Sequence, residues 1–192
     1  MGGRGGAGLA AASTVPSAAS LRRSFLKDPY RAVIQRFNRS GVLYLIVGMS
    51  GINYYARNPA ETFGTLDYDI FLEPSLKNVE QAIRCLKAMR FTLGTAQGAL
   101  RQEDVKQIVR ERRTIVATTS EGLMVELLLK ISGYPFSELA RDALTLSLRG
   151  TPVKVGRLSK LLRSKKLAGR PKDRRFLERY QTLLEQKEPG KI

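Results

Sequence analysis

The chain has 192 residues, of which 43% are hydrophobic, and this length and composition favour a single globular domain with its own core. Thirty-three lysines and arginines against seventeen acidic residues give a formal charge of +16, which favours polyanionic partners such as RNA, DNA or nucleotides, although a basic surface also serves solubility alone. The sequence has no histidine and one cysteine, which excludes an internal disulfide and the commonest general base. A bound metal would therefore need oxygen ligands, as Mg²⁺ and Mn²⁺ prefer.

The two ends of the chain differ in composition from the middle. Residues 1–26 are rich in glycine, alanine and serine and contain no acidic residue, which predicts a disordered leader. An organelle transit peptide, a secretory signal and a start codon assigned too early are the alternatives. We expect one domain over residues 27–186 and a flexible tail over 187–192. No stretch reaches the roughly 18 apolar residues that a membrane-spanning helix needs, so we expect a cytoplasmic protein without a membrane partner.

Helical and strand patterns alternate along the middle of the chain. Apolar spacing predicts a helix from Asp28 to about Arg39, and the continuous apolar run 42–47 predicts a buried strand that ends at Gly48. The pattern then predicts a short helical segment before Asn58, a strand over 66–72, a helix over 75–90, weak strands near 91–95 and 114–118 with a charged helix or loop at 103–110 between them, and a strand over 123–131. A helix over 136–143, two short strands around Gly150 and basic helices over 158–167 and 172–185 follow. This order predicts an α/β (α+β) fold with helices flanking a mixed sheet.

Two aspartates are separated by one residue in the strand predicted over 66–72. Because side chains alternate across a strand, Asp67 and Asp69 should lie on the same face. Like charges this close repel each other unless a cation lies between them, which favours a divalent metal site. A solvated strand end, or ion pairs with neighbouring arginines, is the alternative.

Glu126 is the only charged residue in the apolar segment 123–129. A buried carboxylate without a partner costs several kcal/mol by order of magnitude, so Glu126 should be paired, protonated or bound to metal. If its strand lies next to the strand of Asp67 and Asp69, three carboxylates converge, and such a ligand set is typical of two-metal phosphoryl-transfer sites. An ion pair with one of the arginines is the alternative.

A lysine interrupts the apolar stripe of the first basic C-terminal helix. Leu158, Leu161 and Leu162 form this stripe, and the helical spacing places Lys165 within it. A lysine in this position either extends its amine to solvent or presents a positive charge to phosphate oxygens.

Three motifs in order resemble the nucleotidyltransferase superfamily. They are Gly48-Met49-Ser50, the strand Thr65-Leu66-Asp67-Tyr68-Asp69-Ile70, and the segment 161–173, which contains Lys165 and ends in Gly169-Arg170-Pro171-Lys172-Asp173. The resemblance covers roughly residues 28–184 and is closest to small bacterial nucleotidyltransferase-like proteins that include the AbiEii type of abortive-infection toxins. Two positions depart from the family pattern, since Met49 replaces a Gly or Ser of the turn and Glu126 stands where Asp is commoner.

The resemblance implies a role for each matching residue. Metal binding and catalysis would fall to Asp67, Asp69 and Glu126, with Mg²⁺ or Mn²⁺ as the cofactor. Nucleotide contacts would fall to Gly48, Ser50, Thr65, Lys165, Arg170 and Lys172. It also implies that Asp173 helps to tie the C-terminal helices together.

Three functions are compatible with these features. The first is transfer of a nucleoside monophosphate from a nucleoside triphosphate (NTP) to an acceptor hydroxyl, with RNA or tRNA as the candidate acceptor and, for a toxin-like protein, an antitoxin protein as a candidate partner. The second is a catalytically inactive module of the same fold that binds RNA or a partner protein, which Met49 favours. The third, transfer to a small drug such as an aminoglycoside or lincosamide, is disfavoured because so basic a surface repels a cationic drug.

Overall fold

The computed structural model describes residues 29–186, so the predicted leader, the tail and the predicted helix start at Asp28 lie outside the described residues. The helices are α1 (Pro29–Arg39), α2 (Gly48–Asn53), α3 (Leu76–Ala88), α4 (Val105–Glu111), α5 (Phe136–Arg141), α6 (Leu158–Ala168) and α7 (Pro171–Glu185). The strands are β1 (Tyr44–Ile46), β2 (Tyr68–Leu72), β3 (Thr92–Thr95), β4 (Gly98–Ala99), β5 (Ile115–Thr118), β6 (Met124–Leu128), β7 (Leu144–Leu148) and β8 (Thr151–Val155). Short 3₁₀ turns cover Pro59–Glu61 and Gln102–Asp104.

The strands of the described residues form a single sheet in the order β4-β3-β5-β6-β2-β1-β8-β7. β6 pairs in parallel with β2, and β8 pairs in parallel with β1. The remaining neighbours are antiparallel, as in β1 with β2 and β5 with β6. Parallel pairs need long crossover connections, which here contain the helices. The predicted mixed α/β class with flanking helices is therefore confirmed.

The helices form two groups around the sheet. In the first group, α3 contacts both α1 and α4. In the second group, α6 contacts both α2 and α7. The alternation along β6 is strict, because Val125 and Leu127 are fully buried whereas Glu126 between them is partly exposed. Within the described residues no helix is both long and apolar enough to cross a membrane.

Several element boundaries differ from the prediction for local reasons. Asp67 was expected within a strand, but it precedes β2, because the Thr65 hydroxyl donates to the Asp67 carboxylate (2.6 Å) and holds the chain in a turn. The strand predicted to reach residue 131 ends at Leu128, and a bridge between Ile131 and Tyr134 closes the loop that follows. The short strand β4 was not predicted, since two residues carry no periodic pattern.

Leu127 should contribute strongly to stability because its side chain is fully buried on the face of β6 opposite Glu126. We expect Leu127→Ala to lower the free energy of unfolding by about 2–5 kcal/mol, from lost burial and the resulting cavity. Urea denaturation measures this effect. The matched control is Leu66→Ala, which alters a leucine that is 89% exposed and should change the value by less than about 0.5 kcal/mol. Equal losses for the two variants would contradict the assigned burial.

Candidate active site

Asp67, Asp69 and Glu126 lie together at the junction of β2 and β6. The parallel register places Asp69 opposite Glu126, so both side chains leave the sheet on the same face. Asp67 approaches from the turn before β2. One carboxylate oxygen from each residue lies within 4.8 Å of the others, which is close enough for a shared cation.

Gly48 allows Asp69 to occupy its position beside the start of α2. Its φ of +60° lies in the left-handed region, and a Cβ atom at this position would overlap the Asp69 carboxylate. The backbone N–H of the next residue, Met49, donates to that carboxylate. Position 48 therefore requires glycine for two reasons, the positive φ of its backbone and the closeness of the Asp69 carboxylate.

Ser50 fixes the backbone at Asp67 and Asp69 through two hydrogen bonds. Its hydroxyl donates to the Asp67 carbonyl oxygen (3.1 Å) and accepts from the Asp69 N–H (3.2 Å). The residue is only 4% exposed and does not line the cavity described below. Ser50 was predicted to contact nucleotide, but the structure places it beneath the cavity wall, where it supports Asp67 and Asp69.

Lys165 is buried and paired, and does not extend to solvent. Its Nζ donates to Asp173 Oδ1 at 3.0 Å, and the Arg170 Nε donates to Asp173 Oδ2 at 2.6 Å. Asp173 is 1% exposed, and burial alone would raise its pKa. The hydrogen bonds from Arg170 and Lys165 outweigh that effect and hold the pKa of Asp173 below its usual value. This network joins α6 to α7 and keeps a positive charge near Asp69.

Crowding raises the pKa values of two of the three clustered carboxylates. Burial, together with the charges of Asp67 and Glu126, raises the pKa of Asp69 to about 7, although Lys165 acts in the opposite direction. Burial and the Asp67 charge likewise raise the pKa of Glu126, against the effect of Lys172 and Arg170. A divalent cation would relieve this repulsion, so the donor set fits Mg²⁺ or Mn²⁺.

These groups line a cavity of about 640 Å³, a volume within the range of small-molecule sites. The predicted residues on its wall are Gly48, Thr65, Asp67, Asp69, Glu126, Lys165, Arg170 and Lys172. Sequence reasoning missed other lining residues, among them Lys130, Ser132, Ser164 and Phe176. Lys130 could have been found by continuing the alternation from Glu126 through Leu128, whereas the others depend on how the helices pack.

No family model matches this chain, and a search of curated proteins found no match. The resemblance to nucleotidyltransferases therefore rests on the motif residues, and the function that it implies is a proposal.

The raised pKa of Asp69 predicts that the protein without divalent cations becomes less stable as pH rises. Its carboxyl group binds a proton more tightly in the folded chain, where the pKa is about 7, than in the unfolded chain, where it is near 3.8. The stabilisation is complete below about pH 4 and is lost as pH rises through 7. Thermal unfolding in EDTA should give a Tm that falls from pH 5 to pH 8.

Asp69→Asn is the control for this pH dependence, because it removes the titrating group and should flatten the slope. Adding Mg²⁺ should raise the Tm of the unaltered protein at pH 8 but have little effect at pH 5, where a proton occupies the site. An unchanged slope in Asp69→Asn would contradict the origin given for it.

Ser50→Ala should weaken metal binding as well as the fold. Loss of its two hydrogen bonds should cost about 1–2 kcal/mol of stability, while a less well-held Asp67 and Asp69 should lower Mn²⁺ affinity by about tenfold. Calorimetric titration with Mn²⁺ measures the affinity. Ser164→Ala removes a hydroxyl from the cavity wall without touching β2 and should leave Mn²⁺ affinity unchanged. If both variants bind Mn²⁺ equally well, Ser50 does not position the ligands.

Proposed function

We propose that this protein is a metal-dependent nucleotidyltransferase that moves a nucleoside monophosphate from an NTP to an acceptor hydroxyl. The observation that carries the proposal is the approach of three carboxylates, from two separate segments, within 4.8 Å on the wall of a cavity that also contains cations. Phosphoryl transfer needs little covalent chemistry from the protein, and consists mainly of positioning and charge stabilisation. This wall supplies groups for both.

The charges on the cavity wall favour a polyanion once metal is bound. Four carboxylates and four cations line the cavity, so their formal charges cancel. The fourth carboxylate, Asp173, is already bound to Lys165 and Arg170. Divalent cations held by Asp67, Asp69 and Glu126 would neutralise phosphate charge and make the α-phosphorus easier to attack. With such ions the cavity becomes net positive, which suits a triphosphate.

Other residues on the cavity wall would bind the phosphates and orient the acceptor. Lys165, Arg170 and Lys172 would hold the phosphates, while Gly48 and Thr65 border the space beside them. The acceptor oxygen attacks the α-phosphorus, the bond from that phosphorus to the β-bridging oxygen breaks, and pyrophosphate leaves with the electron pair. Glu126 would bind metal, or help to orient the acceptor hydroxyl and accept its proton.

The outer surface of the C-terminal helices supports an anionic acceptor. Five basic residues there are exposed and form no ion pair within residues 29–186, and they are Arg163, Lys166, Arg174, Arg175 and Arg179. Exposed cations without an ion-pair partner attract nucleic acid phosphates. We therefore take RNA or tRNA as the acceptor class, which agrees with a toxin-like cytoplasmic enzyme that would require an antitoxin protein partner.

One observation favours the alternative of an inactive module that binds RNA or a partner protein. Met49 lines the cavity directly after Gly48, and its backbone N–H donates to the Asp69 carboxylate. A bulky residue there would hinder the close approach of phosphate to the backbone. Calorimetry separates the two functions, because the inactive module would bind RNA but show no Mg²⁺-dependent binding of NTP.

Transfer of label from radioactive NTPs to total RNA tests the proposed activity. We expect Mg²⁺-dependent labelling by the unaltered protein and at least a hundredfold loss, on the order of magnitude expected for removed catalytic groups, in Asp67→Ala plus Asp69→Ala. The matched control is Glu103→Ala plus Asp104→Ala, which removes the same charge from an exposed turn paired with Arg101. Equal labelling by the aspartate variant and this control would refute the assignment.

A further inference from the structure

Lys130, in the loop after β6, is a cation on the cavity wall to which the proposed function assigns no role. Lys130 lines the cavity together with Glu126 and Leu128, while the intervening Leu127 and Leu129 are buried on the opposite face. We propose that Lys130, with the Ser132 hydroxyl beside it, binds the terminal phosphates of the nucleotide and thereby selects triphosphates over diphosphates. This inference rests on the proposed function, since it assigns a specificity to the same cavity.

The charge of Lys130 is available to a ligand. The residue is exposed and forms neither a hydrogen bond nor an ion pair with any residue in the range 29–186. Lys165 and Arg170 differ in this respect, because both already donate to Asp173. An unpaired lysine directed along a cavity wall binds phosphate as a point charge without first giving up a protein partner.

Lys130 also lies beyond the immediate neighbourhood of the carboxylates. The charges that influence Asp69 and Glu126 come from Lys165, Arg170 and Lys172, and Lys130 is not among them. With the rise of an extended chain, its Cα lies about 13 Å along the chain from that of Glu126. A triphosphate whose α-phosphate lies at the carboxylates would extend its terminal phosphates along the cavity wall that includes Lys130.

The backbone of this loop is fixed before any ligand binds. Ile131 and Tyr134 form a β-bridge, and Gly133 has a φ of +86°. The space that a Cβ atom of Gly133 would need is filled by the Leu167 side chain of α6, the helix that carries Lys165. The loop and α6 are therefore packed together, which fixes the backbone that carries Lys130 relative to the cavity.

Nucleotide titrations of the full chain test this assignment. ATP, GTP, CTP and UTP, and the four corresponding diphosphates, are titrated calorimetrically in Mn²⁺ without acceptor. We expect the unaltered protein to prefer a triphosphate, and Lys130→Ala to lower triphosphate affinity by about tenfold while changing diphosphate affinity little, as expected for one lost charged contact. Lys130→Arg should retain most of the preference. Lys106→Ala removes an equal charge from an exposed position on α4 outside this cavity and should change neither affinity.

The outcomes separate this inference from the function on which it rests. If the unaltered protein binds triphosphates in a metal-dependent way but shows no preference over diphosphates, or if Lys130→Ala behaves like Lys106→Ala, Lys130 has no selective role and only this inference is refuted. If the protein binds no nucleotide with Mn²⁺, or if Asp69→Asn binds nucleotide as well as the unaltered protein does, both the proposed function and the inference about Lys130 are refuted.

Discussion

The parallel pairing of β2 with β6 is the constraint on which the rest of the site depends. It places Asp69 directly opposite Glu126, with Asp67 in the preceding turn, and brings three like charges within 4.8 Å. Such crowding at a partly buried position is unfavourable, and the raised pKa values of Asp69 and Glu126 are its direct consequence. A sheet gains no stability from this arrangement, and a bound divalent cation would relieve the repulsion.

The neighbouring segments are organised around this cluster. Gly48 removes a side chain that would overlap Asp69, and Ser50 holds the backbone between the two aspartates. On the other side, buried Asp173 fixes Lys165 and so ties α6 and α7 to the carboxylates. Phe63, in the loop before β2, packs with its ring against Phe176 and Tyr180 of α7. Contacts from distant parts of the chain therefore converge on one cavity, as preorganised binding of an anion requires.

The basic residues of the C-terminal helices fall into two groups with different physical roles. Lys165 and Arg170 are bound to Asp173, so their charge is partly offset and their positions are fixed. Arg163, Lys166 and Arg174 are exposed and unpaired within the described residues, and their attraction for polyanions is long-ranged and weakened by salt. The first group suits a defined ligand such as a nucleotide, and the second suits a larger partner such as RNA. The net charge of +16 does not distinguish them.

The sequence by itself determined the class of fold and most of the chemically unusual positions. Periodicity is a local property, so it identified the alternating elements, the lone Glu126 in an apolar strand and Lys165 in the apolar stripe of α6. Only the tertiary structure decided that β6 lies beside β2, that Ser50 supports the ligands from beneath, and that Lys130 lines the same cavity. Strand neighbours and helix packing depend on contacts between residues far apart in the chain, and no local pattern encodes them.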